Sequence, residues 1–501
     1  MIGNLFDLFA GRLPADLSRP FIETADARHY SYGDMLEISG RYARLLVKSG
    51  VRPGDRVAAS VEKSPEAVFL YLGVLRAGAV YLPLNTAYKK DEIAYFIGDA
   101  EPGLAVCRPQ DAGLYADIFG GLAPVLTLGG GGDGTLADQS DALGGDFPTV
   151  ARNSDDLAAI LYTSGTTGRS KGAMMTHRNL AANALVLHKA WGFEPGDVLI
   201  HALPIFHTHG LFVAINCVLL NATGMLFLER FDAGEIIRLL PRATVMMGVP
   251  TFYTRLLERP DFGSETCANM RLFVCGSAPL SETTFNDFRE RTGHTLLERY
   301  GMTETCMITS NPLSGERLAG TVGQALEGVE VRVADKDGKA LSPGEVGILE
   351  VRGANVFKGY WKMADRTATE FRADGFFITG DMARMDANGV VSLVGRDKDL
   401  IISGGFNVYP KEVENALDTI DGIGESAVIG LHHLDFGEAV AAVVTLKGRM
   451  AEADIIAALK QRLAAFKVPK KIMVVDRLPR NAMGKVRKNE LRDRYKDLFQ
   501  T

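Results

Sequence analysis

Four short runs of mostly aliphatic residues constrain this chain more than anything else in it: "LAAILY" (157–162), "GMLFLERF" (224–231), "ATVMMGVP" (243–250) and "MRLFVCGSAPL" (270–280). Each has the length of a buried strand and runs into glycine, proline or charge. Helical periods lie between such runs. "SYGDMLEISGRYARLLVKSG" (31–50) has a serine start and a glycine stop, and "SPEAVFLYLGVLRAG" (64–78) follows the strand-like "DRVAAS". This alternation predicts an α/β fold with parallel-type sheets, whose ligands collect at the carboxyl ends of the strands.

The pattern changes near Gly328. "VEVRVAD", "GILEVRG", "GFFITGD" and "VVSLVGR" are short strands separated by "DKDGK", "SPGE" and "DANG". They predict a small antiparallel sheet or β-barrel over about 328–395. A compact α+β unit follows: a helix in "YPKEVENAL", strands "SAVIGL" and "AAVVTL", a helix in "ADIIAALKQRLAAFK", and a strand "KIMVVD". In that second helix Ile456, Leu459, Leu463 and Phe466 share one face. The expected organisation is a large domain over 1–396 and a small one over 397–501.

The 501 residues, 47% of them hydrophobic, suffice for a large core. Lys+Arg total 55 against 61 Asp+Glu, giving a net charge of −6 and no overall field for nucleic acid or an anionic membrane. The five cysteines are scattered, with no CxxC pair, which suits a reduced compartment and argues against a disulfide framework or zinc site. The first residues have no basic n-region and no long apolar h-region. The most apolar stretch, 211–228, is broken by Asn216, Asn221 and "NATG", so a buried helix–turn–strand is expected there. The expected location is cytoplasmic.

After the first of the four runs comes "YTSGTTGRSKG" (162–172). Glycines let backbone N–H groups approach phosphate, hydroxyls add neutral donors, and a lysine adds a mobile charge. The P-loop NTPase spacing fails, because Lys171 lies between Ser170 and Gly172.

"YTSGTTGRSKGA" resembles the phosphate-binding signature of the adenylate-forming superfamily: acyl-CoA synthetases, carrier-loading adenylation domains and luciferases. "RLFVCGSAPL" (271–280), "LERYGMTET" (297–305), "ITGDMARMD" (378–386), "GRDKDLIISGGFNVYPKEVE" (395–414) and "PRNAMGKVRK" (479–488) follow in that family's order. The resemblance implies two steps. A carboxylate attacks the α-phosphate of ATP, then a thiol displaces AMP. Thr163, Ser164, Gly165, Thr166, Thr167, Gly168 and Lys171 would hold the β- and γ-phosphates. Glu304, with Thr163 or Thr166, would hold Mg²⁺. Ser277, Ala278 and Pro279, with Glu298, Arg299, Tyr300, Gly301, Met302 and Thr303, would wall the adenine, Tyr300 stacking on it. Asp381 would accept the ribose hydroxyls from a strand end, and Arg396 would reach the ribose or α-phosphate. Lys485 would bridge the carboxylate and α-phosphate from a mobile small domain that swings about Lys398. Gly404, Gly405 and Phe406 would then line the path of coenzyme A. Where many relatives carry lysine, this chain has Ile402.

Within the superfamily, "HALPIFHTHGLF", "MGVPTFYTRLL" and "LLERYGMTET" are most similar to malonyl-CoA synthetases. That implies malonate as the acid, with another small carboxylic acid as the alternative; Met302 and Thr208 would limit the pocket to a small acid, which also fits methylmalonate. A second carboxylate needs a cation or converging donors if it is buried. His207, Thr208, Arg230, Arg255, Ser277 and Met302 are the candidates, and a monomer or homodimer is expected.

Overall fold

The computed structural model describes residues 3–163, 170–403, 406–433, 435–481 and 484–499. Two large sheets carry the N-terminal part. The first has the spatial order Val125–Thr127, Leu104–Cys107, Arg56–Ser60, Val80–Pro83, Leu157–Thr163, Lys171–Thr176. Its strands run parallel except the last. The second places Leu297–Met302, Leu272–Cys275, Val245–Gly248, Val198–His201, Gly224–Phe227 and Pro20–Thr24 side by side and parallel. Antiparallel strands extend it at both edges. All four opening runs are thus buried strands. The sequence did not reveal that "LAAILY" belongs to a different sheet from the other three.

The helices follow their local signals. Ser31 and Asp34 close a reciprocal capping box at the start of Tyr32–Lys48. Pro65 opens Pro65–Arg76, a helix buried along its whole length. One continuous core joins this helix to inward residues of both sheets, among them Val57, Tyr81, Leu199 and Phe227. The 211–228 stretch is helix, left-handed turn at Ala222, then strand Gly224–Phe227, and its first turn, His209–Ile215, is π-helical. No helix among the described residues is long and apolar enough to cross a membrane.

Of the two forms expected for 328–395, an antiparallel sheet is the one built, in the order Val329–Ala334, Val346–Gly353, Phe377–Met385, Val391–Arg396. The C-terminal part folds on its own five-stranded sheet with Pro410–Asp418 and Glu452–Lys460 packed on it. The second of these helices stops at Lys460, so its buried face is Ile455 and Leu459. Ile456, Leu463 and Phe466 are only partly covered.

His177, just inside the Thr176 cap of His177–Ala190, accepts the Leu5 N–H at 3.0 Å and so ties the first helix to the core. Burial pushes its pKa down to about 4. A histidine held below its ordinary value near 6.5 stabilises the fold above that pH and loses the contribution as pH falls toward the folded value. The urea midpoint of the wild type should therefore drop between pH 7.5 and 5.5. In His177→Asn, which keeps the acceptor but cannot titrate, the drop should be shallower, and an unchanged slope would refute the assignment.

Candidate active site

The end of a strand from the first sheet meets the turn that follows a strand of the second. Thr163 ends "LAAILYT", and its hydroxyl donates to Glu304 Oε1 at 3.2 Å. Glu304 sits in the tight turn between Leu297–Met302 and Cys306–Ser310, where Cys306 takes a positive φ of 49°. The phosphate-type segment connects two antiparallel strands, with Thr163 paired to Lys171, and not a strand to a helix; the helix begins at His177. Ser164, Gly165, Thr166, Thr167 and Gly168 lie outside the described residues.

Asp381 lies inside a strand, beside a bulge, and not at a strand end as "GFFITGD" suggested. Its register partner is Arg396, whose Nε is 2.6 Å from Asp381 Oδ1, while the Tyr300 hydroxyl donates to Oδ2. Thr379 Oγ1 fixes the Asp381 backbone N–H at 3.0 Å. The carboxylate is thus rigidly aimed with lone pairs to spare.

The acid-pocket candidates divide. Arg230 and Arg255 are exposed, and Arg255 lies over the Phe231 ring, 5.8 Å from its centroid. An arginine buried beside Ser277 is Arg299, expected from sequence only at the adenine wall. It is 2% exposed, its Nη2 donates to Ser277 Oγ at 3.3 Å, and its Nε has no partner. Burial lowers its pKa to about 10, so it stays charged at neutral pH. Gly276 makes the arrangement possible, since a Cβ there would meet Arg299 Nε at 2.8 Å. Ser277, held at φ 71°, also contacts His209 Nδ1 at 3.2 Å. Sequence reasoning passed over His209, although it stands in "HTHG". His207 Nδ1, His209 Nε2 and Thr208 Oγ1 are buried without partners. Burial first, then the charges of Lys485 and Arg299, push the His207 pKa down to about 3, leaving it neutral. Glu298 is buried too, its pKa raised to about 8 by desolvation, and is therefore protonated at pH 7.

Lys485 comes to this cleft from the C-terminal part. Its side chain is still water-accessible, as a group lining an open cleft should be. Desolvation lowers its pKa, opposed by the nearby Asp381 and Glu304 carboxylates and reinforced by Arg396 and Arg299. Asn481 builds its turn: Oδ1 accepts the Lys485 N–H at 3.0 Å, and the Asn481 N–H donates to Lys485 O at 2.9 Å. Gly484 has φ 73°, and a Cβ on it would lie 2.9 Å from Thr251 Oγ1 in the large domain. Gly484→Ala should therefore cut adenylate formation by about tenfold or more, through both strain and collision. Pyrophosphate exchange checks this, and exchange equal to wild type would show that the turn docks elsewhere.

Lys398 occupies a short 3₁₀ turn, Asp397–Asp399, and burial lowers its pKa. Phe406 is 57% exposed and stacks on Phe466 at 4.7 Å; Ile402 is 53% exposed; Gly404 and Gly405 lie outside the described residues.

A family model for AMP-binding enzymes matches residues 15–361, and one for the AMP-binding enzyme C-terminal domain matches 412–485. A malonate–CoA ligase of Arabidopsis thaliana is 32% identical, with 93% of this chain and 85% of that protein covered. A feruloyl-CoA synthase of an Amycolatopsis species is 34% identical, covering 92% and 93%. The ATP-bound structure of MatB from Rhodopseudomonas palustris is 54% identical over 99% of both chains, with a TM-score of 0.97; the apo structure of the same protein scores 0.86. Both lobes that line the cleft fall within these matches, and the chain belongs to the AMP-binding enzymes of the adenylate-forming superfamily.

Proposed function

We propose that the protein joins malonate to coenzyme A, with methylmalonate as a second substrate, using ATP and releasing AMP and pyrophosphate. The observation that carries the acid assignment is Arg299: a buried, charged guanidinium with an unpartnered N–H beside Ser277 and close to neutral His207. A buried cation without a carboxylate is costly, and a dicarboxylate supplies one. One carboxylate of malonate pairs with Arg299, while the other attacks the α-phosphorus. Met302 and Thr208 keep the pocket small. The names borne by the similar plant ligase and the arrangement shared with the ATP-bound bacterial structure support the same reading.

In the first step the attacking carboxylate oxygen forms a bond to phosphorus as pyrophosphate leaves with its bridging oxygen. Attack of an anion on an anion needs positive charge at the reacting atoms. Lys485 supplies it from the small domain, and Arg396 supports it from the Asp381 strand pair. Asp381 accepts the ribose hydroxyls. In the second step the thiol of coenzyme A attacks the acyl carbon, and AMP leaves with the oxygen that came from malonate. The small domain swings about Lys398 between the steps, at the 396/397 boundary, and brings Phe406 to the thiol path.

Among the described residues no group of three or more His, Cys, Asp or Glu could hold a metal ion. Glu304 and Thr163, 3.2 Å apart, offer one carboxylate and one hydroxyl. That fits Mg²⁺, which takes few protein ligands and completes its shell with phosphate oxygens and water. When bound it would neutralise triphosphate charge. The test is pyrophosphate exchange into ATP with a panel of small acids: malonate should support it best, and exchange with acetate or benzoate but not malonate would refute the assignment.

A further inference from the structure

Lys171 is the cation that the sequence aligns with the triphosphate, yet its ammonium group is engaged by a segment far downstream. Nζ lies 3.0 Å from Glu370 Oε1 and 3.9 Å from the Tyr360 ring centroid. The other Glu370 oxygen accepts the Tyr360 hydroxyl at 2.7 Å. That same hydroxyl stands 3.2 Å from Glu304 Oε1, which already takes the Thr163 hydroxyl. Arg366, one turn before Glu370, pairs with Glu370 at 2.6 Å. The downstream segment is fastened along Lys171–Thr176 like an extra strand: Trp361 N–H donates to Gly172 O at 2.8 Å, and Met174 N–H to Gly359 O at 3.0 Å. Gly359, at φ 129°, lets the helix carrying Glu370 approach, since a Cβ there would meet Thr367 at 2.6 Å.

We propose that Tyr360 and Glu370 are positioning residues that hold Lys171 and Glu304 apart and aimed at the incoming triphosphate. A free lysine samples many rotamers, and an opposite charge within reach would capture it. Glu304 is that charge. A lysine paired to Glu304 would cancel both groups needed for phosphate. Glu370 and the Tyr360 ring give Lys171 another seat, from which it exchanges onto phosphate oxygen. The proposal rests on the ATP-dependent reading above, and it concerns the β- and γ-phosphates only.

The test is calorimetric titration of ATP and of AMP, without any acid, into wild type, Glu370→Gln, Tyr360→Phe, Lys171→Ala and the Lys171→Ala/Glu370→Gln double variant. Glu370→Gln and Tyr360→Phe should each weaken ATP by about tenfold while AMP binding moves less than about twofold. Adding Glu370→Gln to Lys171→Ala should weaken ATP no further. Equal weakening of ATP and AMP would mean a general structural role, and full additivity with Lys171→Ala would mean Glu370 does not act through Lys171; either overturns the proposal. Failure of malonate in the exchange assay would retire the acid assignment and leave this test standing.

Discussion

Lys485→Ala should lose adenylate formation by about 10²–10³-fold while thioester formation from supplied malonyl-adenylate stays largely intact. The reason is geometric. Lys485 reaches the cleft only because a turn tied by Asn481 and opened by Gly484 docks beside Thr251. Its charge meets Asp381, Arg396, Glu304 and Arg299 there, and in the proposed mechanism these groups surround the place where phosphorus is attacked. In the second half-reaction negative charge develops on the departing AMP, but the proposed swing of the small domain has by then carried Lys485 away, so that step does not use this ammonium group. Stopped-flow measurement of the two half-reactions separates the outcomes. Parallel loss of both would mean that the small domain does not change its role between steps.

Arg299→Met should have the second large effect, and a selective one. The variant removes the only charge of the Ser277–Arg299 pair and replaces it with a flexible apolar chain of similar length. Leaving a distal carboxylate buried and unpaired costs about 2–5 kcal/mol, or roughly 30-fold to several thousandfold in kcat/KM for malonate. Propionate or butyrate, which place a methyl group there, should lose far less and should overtake malonate. Arg230→Met and Arg255→Met, at exposed positions, are the comparison. If either of them abolishes malonate use while Arg299→Met does not, the distal carboxylate is held elsewhere.

Much of this was legible in sequence. Short aliphatic runs alternating with capped helical periods can only be satisfied by sheets covered on both faces, and the motif order placed Thr163, Glu304, Asp381, Arg396 and Lys485 in one family's cleft. What the sequence could not show was which sheet each strand joins, because strand order depends on contacts between segments far apart. The same limit hid Arg299. Charge type and spacing favoured Arg230 and Arg255, at a strand end and on a helix face, whereas the proposed choice of Arg299 depends on Gly276 letting a neighbouring strand's arginine lie close. His209 was in view, but nothing in "PIFHTHG" signals which ring faces Ser277. Tyr360 and Glu370 had none at all, since their meaning comes from a segment that pairs with the Lys171 strand only after folding.

If malonate is activated as an adenylate, its own oxygen becomes part of AMP. Malonate labelled with ¹⁸O in its carboxylates, turned over once with ATP and coenzyme A, should yield AMP carrying a single labelled phosphate oxygen, seen by mass spectrometry. Unlabelled AMP, or label found in inorganic phosphate with ADP as the nucleotide product, would contradict it.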